Sequence, residues 1–396
     1  MKSIDHERLE SVLLDAILSG GSLQELFDRV YECIKLPLVC FDTTFHVLAY
    51  AFPRPFYYSH WEDMAERGNA AESAIIGYNY LEYQEKMYEH GRSQLFDSGT
   101  CEGYPQACGP VMADGRLAAY CGIMIEDCRR EDALRANDLI ARAAARLILD
   151  RSRDGRGGAV ERLLIRNEYG PETLAALSGA LHQPPYAFVI VSAEGRGVST
   201  LEYLRGRLCQ GGSGAVGCLA GEERLYILQS GLSAGERGRA LERLESVARL
   251  CEVRAGTSDI FDSLEETSER RAQALLALSA GGGGPVSTFS GSYAAIVGRC
   301  ALGRYGAAAS RSSPLEALAG LDGEYLQTLR LYLQLFRRPA AVAEAQGLHR
   351  NTVINRIRKV EELLHADLSD AETASALQLG LELAELSDAE RRGANA

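Results

Sequence analysis

Asn351, Asn355 and Arg358 lie four and three residues apart in RNTVINRIRKVEELL, the run Arg350–Leu364. If that run is helical, the spacing sets all three on one face. An asparagine amide matches the donor–acceptor edge of adenine, and an arginine fork matches the two acceptors of guanine, both in the major groove. Thr352 and Lys359 project from the same side, while Arg350 and Arg356 flank it, where phosphate oxygens would be met. Charge points the same way. From Arg330 to Lys359 seven Lys/Arg stand against one acid, Glu344, whereas from Val360 to the end nine acids face two arginines. The chain as a whole carries −12, which argues against diffuse binding to nucleic acid or an anionic membrane. The sign reversal instead localises an anionic partner to one short segment.

The elements around this run are built to hold it. Asp322 to Phe336 reads as a helix with Leu326, Leu329, Leu333 and Phe336 on one face. Pro339 opens a short helix at a position that tolerates a missing N–H, and Gly347 closes it. Counting from Pro339, the fifth residue is Ala343, the ninth Gly347 and the fifteenth Val353. A small residue for close helix approach, a glycine for the turn and an aliphatic anchor make the helix-turn-helix pattern. Val353, Ile357, Val360 and Leu364 share the apolar face of the second helix, opposite the polar set. A solvated basic helix would explain the charge run alone; it does not explain the spacing and punctuation.

Other residues suggest chemistry less directly. Cys101, Cys108, Cys121 and Cys128 form a near-symmetric set, the basis of an alternative reading as a redox- or metal-responsive sensor. Their six-residue gaps lack the CxxC knuckle that pins two thiolates at one turn, and Cys121 sits in the strand-like AAYCGIMI. Packing is therefore the expected role, with no metal and no cofactor. The aromatic-dense FPRPFYYSHW, with Tyr78 further on, is where a small-molecule pocket is expected, near Tyr57, Trp61 and Tyr78. No nucleophile elbow, P-loop or dinucleotide fingerprint is present, and GGSG and GGGG lack a following lysine, so no enzyme is expected. No apolar run approaches the ~20 residues that span a bilayer. The acidic amphipathic start, MKSIDHERLESVLLDAILSGG, has no signal-peptide core, and the chain is expected in the cytoplasm.

A chain of 396 residues exceeds one compact core, and three stretches emerge. Residues 1–151 run through two helices (Asp5–Leu18, Leu23–Ile34), the strand pair in LPLVCFDTTFHVLAYA, an aromatic middle, a hairpin around Asp114-Gly115 and a long helix, Glu131–Arg151. That order resembles a GAF- or PAS-type α+β sensor. Residues 159–302 interleave the strand signals YAFVIVSA, GAVGCLA, RLYILQS and CEVRAGTS with helices Leu201–Leu208, Gly235–Leu250 and Ser263–Leu278, an α/β pattern. Residues 315–390 hold the helix-turn-helix.

LHRNTVINRIRKVEELLHADLSDAETASALQLGLELAEL resembles the C-terminal domain of the PucR/CdaR family of bacterial regulators. The carrying residues are His349 to Val353, Arg356-Ile357, Val360 to Leu363 and Leu377 to Leu379. The resemblance implies a Fis-like helix-turn-helix bundle with Arg350, Asn351, Thr352 and Arg356 at the DNA surface. Asn355 stands where members commonly carry an aromatic. Gln346 replaces their leucine, from which a less well packed first helix is expected. The middle stretch is similar to the family's degenerate GGDEF-like domain. Its Glu222 and Glu223 follow a single glycine, so the metal-binding loop of a cyclase is missing. The chain so read is a transcription regulator, with a double-stranded DNA operator and a small-molecule effector as partners. A homodimer is expected because one recognition helix reads too few base pairs.

Overall fold

The computed structural model describes residues 3–70, 80–151, 156–209, 212–281, 284–305, 318 and 322–393. They fall into two units, Met1–Leu278 with Gly283–Val286, and Ser279–Gly282 with Ser287–Ala396.

In the first unit, polar caps start the two leading helices. Asp5 accepts from the Arg8 N–H ahead of α1 (His6–Leu18), and Ser22 with Glu25 forms a capping box on α2 (Leu23–Ile34). β1 (Leu38–Asp42) and β2 (Val47–Ala51) follow. Asp42 Oδ1 organises their turn, accepting from the N–H groups of Thr44 (2.8 Å) and His46 (3.0 Å). Then come α3 (Ser59–Arg67), α4 (Tyr80–His90), β3 (Gln94–Phe96), β4 (Gln106–Ala113), β5 (Arg116–Met124) and α5 (Arg130–Arg151). The hairpin read from Asp114-Gly115 is present: Ala113 pairs with Arg116, and both turn residues have positive φ, 52° and 70°, the geometry a two-residue type I′ turn needs.

The five strands form one antiparallel sheet in the order β2-β1-β5-β4-β3. Strand alternation divides its side chains between two faces. Leu38, Cys40, Cys121 and Ile123 point to α1, α2 and α5, where they meet Leu9, Phe27 and Ile140. Val39 and Met124 point the other way, to Phe56 and Trp61, and Tyr120 packs with Met87.

The chain continues through α6 (Arg156–Leu164), α7 (Pro171–Leu177), β6 (Ala187–Ser192), α8 (Val198–Leu208), β7 (Ala215–Leu219) and β8 (Arg224–Gln229). α9 (Ala234–Leu250), β9 (Arg254–Thr257), α10 (Thr267–Ala280) and β10 (Val286–Thr288) complete it. These strands order as β10-β9-β6-β8-β7. β6 is buried along its whole length: Val189 and Val191 enter one apolar cluster, Phe188 and Ile190 another. The first of those clusters also contains Phe45 and Met64 from the N-terminal half, so the two sheets share a core. Phe45, at φ 63°, packs against Tyr203 with ring centroids 6.0 Å apart.

In the second unit, α11 (Tyr293–Tyr305) packs on α15 (Ala371–Gly393), and α12 (Gly323–Gln334), α13 (Pro339–Gln346) and α14 (Arg350–Leu364) form the bundle. The mixed α/β architecture and the C-terminal helix-turn-helix expected from sequence are both present. Helices α3, α4, α7 and α11 have no counterpart in the sequence reading. In α3 and α4 the apolar residues are few or aromatic, α7 is only seven residues long, and the small residues of α11 show no clear helical period.

Candidate nucleic-acid interface

The recognition geometry starts from the bundle core. Leu329 and Leu333 of α12, Val342 and Ala343 of α13, and Val353, Ile357 and Val360 of α14 are buried together with Leu377 and Leu381 of α15. Gly347 ends α13 at φ 65°, ψ 30°, a left-handed position where glycine carries no Cβ penalty. The Leu348 N–H then returns to the Ala343 carbonyl at 2.9 Å. His349 caps α14, its Nδ1 accepting from the Asn351 N–H at 3.2 Å.

Burying Val353, Ile357 and Val360 obliges the opposite side of α14 to face solvent. Arg350, Asn351, Asn355, Arg358 and Lys359 are exposed, and Thr352 is half-buried. At about 100° per residue, Asn351, Asn355 and Arg358 fall within an arc of about 60°. Lys359 lies 5.1 Å above the Tyr325 ring, which holds its ammonium at the rim of this face. Glu362, exposed one turn beyond Arg358, brings the basic stretch to an end.

Arg356 is placed differently. It turns toward α12, pairs with Glu324 and donates to Thr328 Oγ1 at 3.1 Å, and its side chain is 17% exposed. Its guanidinium also lies 5.7 Å from the centre of the Tyr325 ring. Arg337 likewise bonds inward, to the Ser369 carbonyl at 2.6 Å. Gln346, the departure from the family's leucine, has its Oε1 3.0 Å from Thr328 Oγ1. Thr328 is fully buried and also donates to the Glu324 carbonyl at 2.7 Å. A polar cluster thus ties α12, α13 and α14 together where sequence reasoning expected looser packing. Opposite-charge residues 32 positions apart on separate helices leave no local signal of it.

The pocket residues expected from sequence separate. Trp61 is buried and lines a cavity of about 70 Å³ on the side of the first sheet away from α1, α2 and α5. Tyr57 is 51% exposed and does not line that cavity; it bonds to Glu126 and stacks 5.7 Å from Tyr104. Tyr78 lies outside the described residues. Sequence reasoning missed the residues that α4 contributes, Tyr83, Gln84 and Met87.

The four cysteines of the alternative reading are divided by the sheet. Cys121 and Cys128 lie in the cluster under α1, α2 and α5, whereas Cys101 and Cys108 line the cavity on the other face. Burial raises the Cys108, Cys121 and Cys128 thiols above their ordinary range, opposite to what a reactive or metal-binding thiolate needs. Among the described residues no three His, Cys, Asp or Glu side chains converge as a metal site. No described helix is long and apolar enough to cross a membrane.

Residues 325–383 match the PucR C-terminal helix-turn-helix domain, the family to which the sequence resemblance pointed. The purine catabolism regulatory protein of Bacillus subtilis (strain 168) is 40% identical over 78 residues. That alignment covers 19% of this chain and 15% of the relative. Among solved structures, a regulator of polyketide synthase expression from Bifidobacterium adolescentis is 17% identical. It covers 59% of this chain and 93% of its own, with a TM-score of 0.27. The E. coli DhaR(N)–DhaL complex is 18% identical over 46% of this chain and 59% of that one, with a TM-score of 0.24. At such TM-scores neither structure informs function.

Proposed function

We propose that this chain, whose residues 325–383 belong to the PucR-type helix-turn-helix domain, is a sequence-specific regulator of transcription that responds to a small-molecule effector. The observation that carries this reading is the exposed Asn351–Asn355–Arg358 face of α14, held outward by the buried Val353, Ile357 and Val360. Asn351, Asn355 and Arg358 read base edges, with Thr352 beside them. Arg350, Lys359 and the exposed Arg338 meet phosphates. Arg356 acts through the fold, by fixing α14 against α12. The relative's name makes a catabolic pathway the natural target.

The preceding residues receive the signal. The antiparallel sheet with helices on one face and an aromatic cavity on the other supports a GAF- or PAS-like sensor. The second sheet, with the single-glycine turn Gly221-Glu222-Glu223 between β7 and β8, supports a non-catalytic GGDEF-like partner. One element touches both: α4 lines the cavity with Tyr83 and Gln84, and its Glu85 accepts from the Val198 (3.2 Å) and Ser199 (2.9 Å) N–H groups that open α8. Two recognition helices are needed for two half-sites, so the working form is a homodimer.

The test is selection of duplex DNA from a random pool by the full chain, with mass measured by light scattering on and off the selected site. Recovery of one recurring sequence by a dimer is expected. Indiscriminate retention, or a strict monomer on that sequence, contradicts the reading.

A further inference from the structure

The aromatic cavity has a chemical character of its own. Trp61, Phe45, Tyr83 and Phe96 are among its walls, and among the described residues no Lys, Arg, Asp, Glu or His lines it. Two amides do. Gln84 is 1% exposed and neither its Oε1 nor its Nε2 has a hydrogen-bond partner. Gln106, also buried, has Cys108 Sγ at 3.7 Å from its Oε1 and lies beside the Tyr58 hydroxyl, while its Nε2 makes no well-formed hydrogen bond. A buried amide left without partners is costly, and native interiors rarely keep one. One such amide, beside a second that is only partly satisfied at the same cavity, is best explained by an occupant that supplies the missing bonds.

We infer that this cavity is the binding site for a small neutral molecule presenting a cis-amide edge, an N–H beside a C=O as in a lactam. Gln84 donates from Nε2 to the ligand carbonyl and accepts at Oε1 from the ligand N–H, closing a paired hydrogen-bonded ring. Gln106 Nε2, beside the Tyr58 hydroxyl, supplies a further donor. Carboxylates, phosphates and ammonium groups are rejected, because no described residue of the lining compensates a buried charge. The volume, about 70 Å³, is below the ~150 Å³ of a cavity that takes benzene, so the occupant has one ring at most, and aromatic walls favour a flat one. The inference rests on the N-terminal half being the signal-receiving part, and it names what that part receives.

The chain contains a single tryptophan, and it lines this cavity, so Trp61 emission reports occupancy in the 396-residue chain. The probes are 2-pyrrolidinone, its ring-oxygen counterpart γ-butyrolactone, which lacks the N–H, and pyrrolidine, which is cationic. The expected result is a saturable emission change with 2-pyrrolidinone and at least about tenfold weaker binding of the other two. Gln84→Leu should erase the lactam-over-lactone preference. It should also raise the unfolding temperature without ligand, since an unpartnered amide is replaced by an apolar side chain of similar size. Gln106→Leu should weaken the lactam by a smaller factor, again without loss of stability. Equal response to lactam and lactone, no saturable change, or a Gln84→Leu protein that melts lower would overturn the inference. DNA selection by the same preparations without probe separates this outcome from failure of the regulator reading.

Discussion

At the scale of single residues, two arginines of one basic helix are expected to behave in opposite ways. Arg350 is exposed; Arg350→Ala should weaken binding to all sequences alike and reduce the slope of log affinity against log salt by about one unit. Arg356 is bonded to Glu324 and Thr328; Arg356→Ala should leave that slope unchanged and lower stability by about 1–2 kcal/mol. Salt titrations and urea unfolding on both variants decide it, and a reduced slope in the Arg356 variant would return that side chain to the phosphate surface. Glu85 offers a second test. Burial is the largest influence on its carboxyl and raises it above the ordinary carboxylate range, despite the bonds from Ser199 and Val198 that lower it. The folded chain therefore holds this proton more tightly than the unfolded one. Stability linked to Glu85 is full below the unfolded value and declines as pH rises through the folded one. Glu85→Gln should flatten that decline as pH rises above the ordinary carboxylate range, measured as urea midpoints; an unchanged pH profile would count against it. Sequence made Asn351, Asn355 and Arg358 legible because helical spacing alone places them. It could not distinguish Arg356 from its neighbours, since the Glu324 that claims it sits on another helix.

At the scale of elements, punctuation was the most readable signal. The Asp114-Gly115 turn, the Pro339 start and the Gly347 stop all stand where local chemistry puts them. Each depends on one or two residues and on no distant contact. Gly347 needs its left-handed conformation to set α14 against α13, so Gly347→Ala should cost about 1–2 kcal/mol. DNA binding should fall with it; thermal unfolding and a retention assay measure both, and a neutral outcome would mean the turn tolerates a different conformation. The aromatic region was harder to read. Met64 and Trp61 in α3, with Gln84 and Met87 in α4, are buried by a cavity and a second sheet rather than by one continuous face. Trp61 itself depends on a residue with no side chain: a Cβ on Gly122 would stand 3.4 Å from its Cζ2 and 3.0 Å from Cys108 Sγ.

At the scale of the whole molecule, the sequence pattern divides residues 1–151 from 159–302 as separate stretches. Contacts across a sheet leave no such mark. Phe45 and Met64 share a buried cluster with Val189, Val191 and Leu201, and Tyr120 meets Ser199 Oγ at 3.0 Å. The two sheets of the first unit should therefore unfold together, with Trp61 emission and far-ultraviolet circular dichroism coincident in urea. Phe45→Ala should lower that shared transition by about 3–5 kcal/mol. Two separated transitions would show that the halves are autonomous and that a signal cannot pass through their common core. The central claim, that α14 reads base edges, is tested most directly by comparing the native chain with Asn355→Ala and Arg358→Ala. Each would be measured on the selected site and on its single base-pair variants at fixed salt. Each substitution should cost about 1–3 kcal/mol on the selected site and abolish discrimination at one base-pair position while leaving the others intact. Unchanged discrimination at every position, with or without a loss of affinity, would contradict the assignment of this face to sequence recognition.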